Sequence, residues 1–239
     1  MKKWIIVFAA CLCLGMARVP RVKVKNVYFE KNFNTSDVSG LSYSGNKTAK
    51  IVDKAVKITL NYTDPINYRT EVQVNDFAEI GKTYWYGVKT LIPNDWGIDS
   101  KPEIIMQWHG YPDKDLGENW RNPVVALYVA GDRYLLKVRG DAREVAVKPF
   151  EVDKIIDLGQ VFKGKRESWI FQIDWDYTDG RIKVWKNNIQ LATINGANCY
   201  NDMIGPYFKF GVYKWEWKTA PSDVSSRTLY FDDLKIGKE

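Results

Sequence analysis

A chain of 239 residues with 45% hydrophobic content can bury one large core or two small ones, which excludes an unstructured chain. The formal charge of +6 suits a polyanionic partner, whether nucleic acid, an anionic membrane or an acidic polysaccharide, without choosing among them. Ten Trp and fourteen Tyr supply flat faces with a polar edge, suited to a core and also to stacking on sugar rings.

The N-terminal stretch reads as a targeting segment. Lys2-Lys3 precede the apolar run Trp4 to Leu14, and Gly15-Met16-Ala17 offers small residues at a cleavage site, so residues 1–17 are expected to be a signal peptide. The run is too short to cross a bilayer, and no second apolar run of spanning length follows, so no transmembrane segment is expected. These features point to a secreted or periplasmic protein. The lipoprotein alternative, with Cys11 acylated, has Phe8-Ala9-Ala10 where a leucine is usual. Cleavage after Ala17 would remove Cys11 and Cys13, leaving Cys199 alone and the mature chain without an internal disulfide.

From there the chain reads as strand after strand. Alternating β-branched and aromatic residues predict strands over 50–60, 69–75, 83–91, 103–109, 123–129, 133–139, 168–175, 181–186, 189–194, 207–213 and 228–236. Turn signals separate them, among them Pro93-Asn94-Asp95, Ala130-Gly131-Asp132, Asp179-Gly180 and Asn187-Asn188. No long amphipathic helix, linker or internal repeat interrupts the pattern. The expectation is an all-β fold, a jelly roll or concanavalin-like sandwich of two antiparallel sheets, forming one domain over 20–239 with a concave groove.

Three strands carry chemistry on one face. In Arg69-Thr70-Glu71-Val72, Arg69 and Glu71 point the same way. In Met106-Gln107-Trp108-His109, Gln107 and the only histidine of the chain, His109, share one face, while Met106 and Trp108 share the other. In the run 207–213, Tyr207, Lys209, Gly211 and Tyr213 fall on one face and Phe208, Phe210 and Val212 on the other; the glycine marks a close approach. Lys137 and Arg139 also share a face.

Such a set fits β-elimination in a uronic-acid polymer. The proton α to a carboxylate becomes acidic once donors neutralise the carboxylate charge, which an amide and a cation can do. A base then takes that proton and an acid protonates the departing oxygen. A phenol near a cation can serve as either, and His is the side chain whose ordinary pKa lies nearest neutrality. The scheme requires no cofactor.

Arg-x-Glu-Val, Gln-x-His and Tyr-x-Lys-x-Gly-x-Tyr, in this order, resemble the three signature regions of the alginate lyase jelly-roll superfamily. The stretches Asn122 to Leu127, Leu136 to Asp141 and Tyr213 to Lys218 are similar to its heparin lyase I and glucuronan lyase relatives. The resemblance spans roughly residues 25–238, and the chain length is nearer that of a glucuronan lyase. It implies that Gln107 and Arg69 neutralise the carboxylate. His109 would be base or carboxylate partner, and Tyr213 the acid, or both acid and base. Lys209, Tyr207, Glu71, Lys137 and Arg139 would hold an acidic polysaccharide, with glucuronan ahead of heparin-like or alginate-like polymers. A monomer is expected, and no nucleic-acid partner.

Rival readings remain open at this level. A lectin-like carbohydrate-binding domain could use the same groove without chemistry. A glycoside hydrolase could use Asp174 and Asp176, although these run into the Asp179-Gly180 turn like ordinary hairpin residues. Asp232 is a candidate ligand for a structural calcium. Taken singly, a strand His or Tyr can be a satisfied core residue, and Arg69–Glu71 a surface ion pair worth little.

Overall fold

The computed structural model describes residues 21–64 and 66–239. The predicted signal peptide, with Cys11 and Cys13, lies outside them. Fifteen strands follow one another among the described residues: β1 (Val27–Lys31), β2 (Leu41–Gly45), β3 (Lys50–Val52), β4 (Ala55–Asn61), β5 (Arg69–Val74), β6 (Thr83–Leu91), β7 (Glu103–His109), β8 (Val125–Ala130), β9 (Arg133–Gly140), β10 (Val152–Gln160), β11 (Arg166–Asp174), β12 (Arg181–Lys186), β13 (Ile189–Asn195), β14 (Tyr207–Tyr213) and β15 (Ser226–Lys238). They build two antiparallel sheets of a jelly roll. One sheet runs β13-β12-β11-β6-β15-β4-β3, with β1 also on β15; the other runs β10-β9-β8-β7-β14-β5-β2.

The alternation read from the sequence is what packs these sheets. Trp108 on β7 and Phe208 and Phe210 on β14 point inward and meet Tyr86, Phe171 and Phe231 of the facing sheet, with ring centroids 4.9 to 5.7 Å apart. Burying one such ring stabilises by roughly 2–3 kcal/mol, so this layer decides which face of β7 and β14 points in. Because side chains alternate, Gln107, His109, Tyr207 and Lys209 then stand on the outer face of the seven-stranded sheet. Cys199 is buried and free.

The predicted strand 50–60 is a hairpin instead. Asp53 and Lys54 both take positive φ, 49° and 63°, and turn the chain between β3 and β4. That is the backbone of a two-residue hairpin turn made without the glycine that usually announces it. Three strands carried no clear alternation and were not anticipated. β10 is a largely exposed sheet edge with charged residues at 153, 154 and 157, while β1 and β2 are short strands added to the margins.

Gly211 also differs from expectation. Its φ of +149° and the crowding around it come from the neighbouring strand: an added Cβ would lie 2.6 Å from Glu71 Cα and closer still to the Thr70 carbonyl oxygen. The close approach is thus by β5 of the same sheet. Here the β14–β7 register also shifts, between Phe210 and Tyr213. Gly211→Ala should lose about 2 kcal/mol or more of stability; denaturant unfolding with an unchanged midpoint would show that β5 can yield.

Candidate active site

The outer face of the seven-stranded sheet carries a groove of about 760 Å³, and a second cavity of about 570 Å³ adjoins it. Arg69, His109, Trp120, Arg121 and Tyr213 line both, so these five mark the junction. Strand register brings the predicted residues together there. β14 lies between β7 and β5, pairing Tyr207 with His109, Lys209 with Gln107 and Gln73, Gly211 with Glu71, and Tyr213 with Arg69.

Glu71 sits at the bottom of this layer, 1% exposed. Gln107 Nε2 donates to its Oε1 in a short hydrogen bond, and Arg69 Nε lies 3.1 Å from its Oε2 as an ion pair. The Arg69 guanidinium in turn stacks over the Tyr213 ring at 3.8 Å. Glu71 was expected among the substrate-holding groups. It is instead covered by its own neighbours and positions the amide and the guanidinium.

His109 is buried at the end of β7, and its Nδ1 lies 2.9 Å from the Gly110 carbonyl oxygen. A carbonyl only accepts, so Nδ1 carries the proton and Nε2 is left as a bare acceptor. Burial, reinforced by Lys209, Arg69 and Arg121, lowers the His109 pKa from the ordinary 6.5 to about 4. Burial likewise lowers the Lys209 ammonium, with Glu71 opposing, and pushes the Tyr207 phenol up to about 12. At neutral pH the site therefore holds a neutral imidazole and a neutral Tyr207.

A short segment anchors Tyr213. Its neighbour Lys214 turns inward, fully buried, with Nζ 2.6 Å from Glu103, 2.9 Å from Asp99 and 2.7 Å from the Lys101 carbonyl oxygen. Arg227 lies 3.1 Å from Glu103 and completes a pairing of two cations with two carboxylates. With Lys214 held inside, alternation turns Tyr213 to the groove.

Lys137 and Arg139 on β9 line the far part of the groove. Both lean on Asp153 of β10, at 3.3 and 3.4 Å, and Arg139 also donates to the Pro123 carbonyl oxygen at 2.8 Å. One carboxylate against two cations leaves that region positive. Asp174 and Asp176 lie elsewhere, at the end of β11 in the opposite sheet. Asp174 accepts from Thr83 and Arg181, and Asp176 from Thr178 and the Asp179 amide, so both are hairpin residues.

Asp232, the expected calcium ligand, accepts from Arg166 at 3.0 Å and from the Asp233 amide, so both its oxygens are engaged within β15 and β11. Among the described residues the one cluster of carboxylates close enough to share an ion is Asp113, Glu118 and Asp202, beside the groove. Arg121 already supplies the cation there, 2.7 Å from both Glu118 and Asp202. Burial, opposed by Arg121 and reinforced by Glu118 and Asp113, pushes the Asp202 carboxyl up to about 7. This clamp holds Trp120 and Arg121 at the groove. Neither was anticipated, because residues 110–124 contain no strand and hence no alternation to read.

A family model described as polysaccharide lyase matches residues 24–235. None of the curated proteins matches the chain in sequence. Among solved structures, an endo-β-1,4-glucuronan lyase from the fungus Trichoderma reesei is similar at 18% identity and a TM-score of 0.70, covering 89% of this chain and 95% of its own. A marine alginate lyase from Zobellia galactanivorans is similar at 16% identity and a TM-score of 0.54, covering 84% and 85%. A botulinum neurotoxin type C structure shares the sandwich at 13% identity and a TM-score of 0.55, with 47% of that chain covered. At these identities the structures show the fold alone, and the family match carries the activity class.

With a single histidine in the chain, its pKa can be read from one imidazole resonance. The expected midpoint is about 4. Between pH 6.5 and 4 the unfolded chain then binds a proton that the folded chain refuses, so His109 stabilises fully above 6.5 and that contribution is lost as pH falls to about 4. A resonance titrating near 6.5 would overturn this account of the site.

Proposed function

The chain belongs to the polysaccharide lyase family and is a polysaccharide lyase of jelly-roll architecture, and from that premise we propose that it cleaves a 4-linked uronic-acid polymer by β-elimination at the junction of the two cavities. Gln107 and Arg69 receive the substrate carboxylate. Glu71 takes one N–H of the Gln107 amide, so the second N–H is available to the substrate. Lys209 holds the sugar beside them.

The single observation that carries the assignment of roles is the neutral, Nδ1-protonated His109. A bare Nε2 would repel a carboxylate, so His109 is better suited to take the C5 proton than to steady the charge. The C5–H bond breaks toward Nε2, leaving its electron pair as an enolate-like charge beside Gln107 and Arg69. That pair forms the C4–C5 double bond as the C4–O4 bond breaks, and O4 leaves with the bonding pair and takes a proton from the Tyr213 phenol. Tyr207, with its phenol held neutral, contributes contact only.

In glucuronate and mannuronate the C5 proton and O4 lie on the same side, so His109 and Tyr213 must reach them from one face of the ring; in guluronate and iduronate they lie on opposite sides. Glucuronan is the first polymer to try, on chain length and on the likeness to the fungal glucuronan lyase fold. Alginate and heparin-like chains come next. In this reading residues 20–239 form one exported domain, released by loss of residues 1–17 and active as a monomer.

A panel of polyuronates should give rising ultraviolet absorbance from the unsaturated product on at least one polymer. Tyr213→Phe and His109→Ala should each lower that rate roughly a hundredfold or more while leaving the fold intact. Reducing ends without absorbance would mean hydrolysis, and full activity in either variant would remove that residue from the mechanism. Glu71→Gln should cost about tenfold in kcat, because an amide there no longer dictates which end of Gln107 faces the groove. A wild-type kcat would show that the orientation is set elsewhere.

A further inference from the structure

The two cavities meeting at the junction differ in chemistry. Beyond the five shared residues, the larger one carries three cations, Lys137, Arg139 and Lys218, beside the rings of Tyr128 and Trp215. The smaller one adds Phe77, Tyr111 and Tyr207 to the shared Trp120, and its only further charge is Lys209, which is 4% exposed. Its aromatic rings form a closed circuit. Trp120 meets Tyr111 at 5.6 Å, Tyr111 meets Phe77 at 5.9 Å, and Phe77 meets Tyr207 at 5.4 Å; Tyr207 and Trp120 then flank His109 at 5.9 and 5.5 Å.

These rings come from three separate parts of the chain: the β5–β6 connection, the segment after β7, and β14. Two of them are left in water, Trp120 57% and Phe77 38% exposed, while Tyr207 is buried and backs the circuit. Large apolar groups held rigid yet uncovered beside a catalytic junction mark a ligand surface. Ser44 and Gln73 on the same wall offer a hydroxyl and an amide to sugar hydroxyls.

We propose that this aromatic arm is a sugar-binding subsite that takes a pyranose ring of the acidic polysaccharide by stacking, on one side of the scissile bond, while the cationic arm takes carboxylates on the other. The two arms thus differ in weight: the smaller adds mostly rings to the junction, and the larger adds three cations. This rests on the polyuronate reading of the junction. It extends that reading to how the chain lies.

The test titrates oligouronates of increasing length against the Tyr213→Phe protein, with and without Trp120→Ala, at low and high salt. Trp120→Ala should weaken binding of the longer chains about tenfold, by an amount that salt leaves unchanged, because stacking is not screened. Arg139→Met should weaken binding at low salt and progressively less as salt rises. Trp120→Phe, which keeps a ring, should recover most of the loss. Equal affinity with and without Trp120 at every length, or a Trp120 effect that disappears in salt, would overturn the subsite. If the oligomers bind but the wild-type protein forms no unsaturated product, the lyase chemistry at the junction fails while the subsite is still decided by Trp120. If no oligouronate binds at all, both fail.

Discussion

The site is organised around a carboxylate that has almost no access to water. Glu71, at 1% exposure, must receive its donors and countercharge from the protein, since an unpaired buried charge is costly. Gln107 and Arg69 supply them. That demand fixes Gln107, because turning its amide would set a carbonyl oxygen against a carboxylate oxygen. It fixes Arg69 as well, and Arg69 stacks on Tyr213. Three residues on three adjacent strands are therefore oriented by one buried side chain. With Arg69 and Lys209 against Glu71, one positive charge remains, which suits a single incoming carboxylate.

The scaffold supports this arrangement from the opposite face. The aromatic layer under β7 and β14 leaves those strands one way to lie, and Gly211 lets β14 lie close against β5, in the register that pairs Tyr213 with Arg69. The inward Lys214 and its partners hold the far end of the same strand. Polar groups on one face and rings on the other are a single constraint seen from two sides, since period-two alternation couples them.

That coupling explains what could be read in the sequence. Arg69, Gln107, His109, Lys209 and Tyr213 were legible because each lies in a strand whose alternation assigns a face, and all five faces prove to be the groove face. Glu71 was placed on the correct face but given the wrong task, because burial among neighbours is a tertiary property. Trp120, Arg121, Tyr111 and Phe77 were missed, because they lie in connections held by side-chain clamps and ring contacts, which leave no period in the sequence. The Asp53-Lys54 turn was missed for a related reason: its backbone is that of a hairpin, but its residues do not advertise it.

The cations that prepare the site for an anion also hold its base in check. Lys209, Arg69 and Arg121 all act to keep a proton off His109. They are also the charges that a uronate carboxylate would approach. In the reaction proposed above, a bound carboxylate would offset part of their field and make the imidazole a stronger base as a substrate proton comes within reach. The same step removes water from the groove, which strengthens the remaining interactions. In the proposed reaction the bound carboxylate would thus offset the cations' share of the His109 shift, while burial, its larger cause, stays in place.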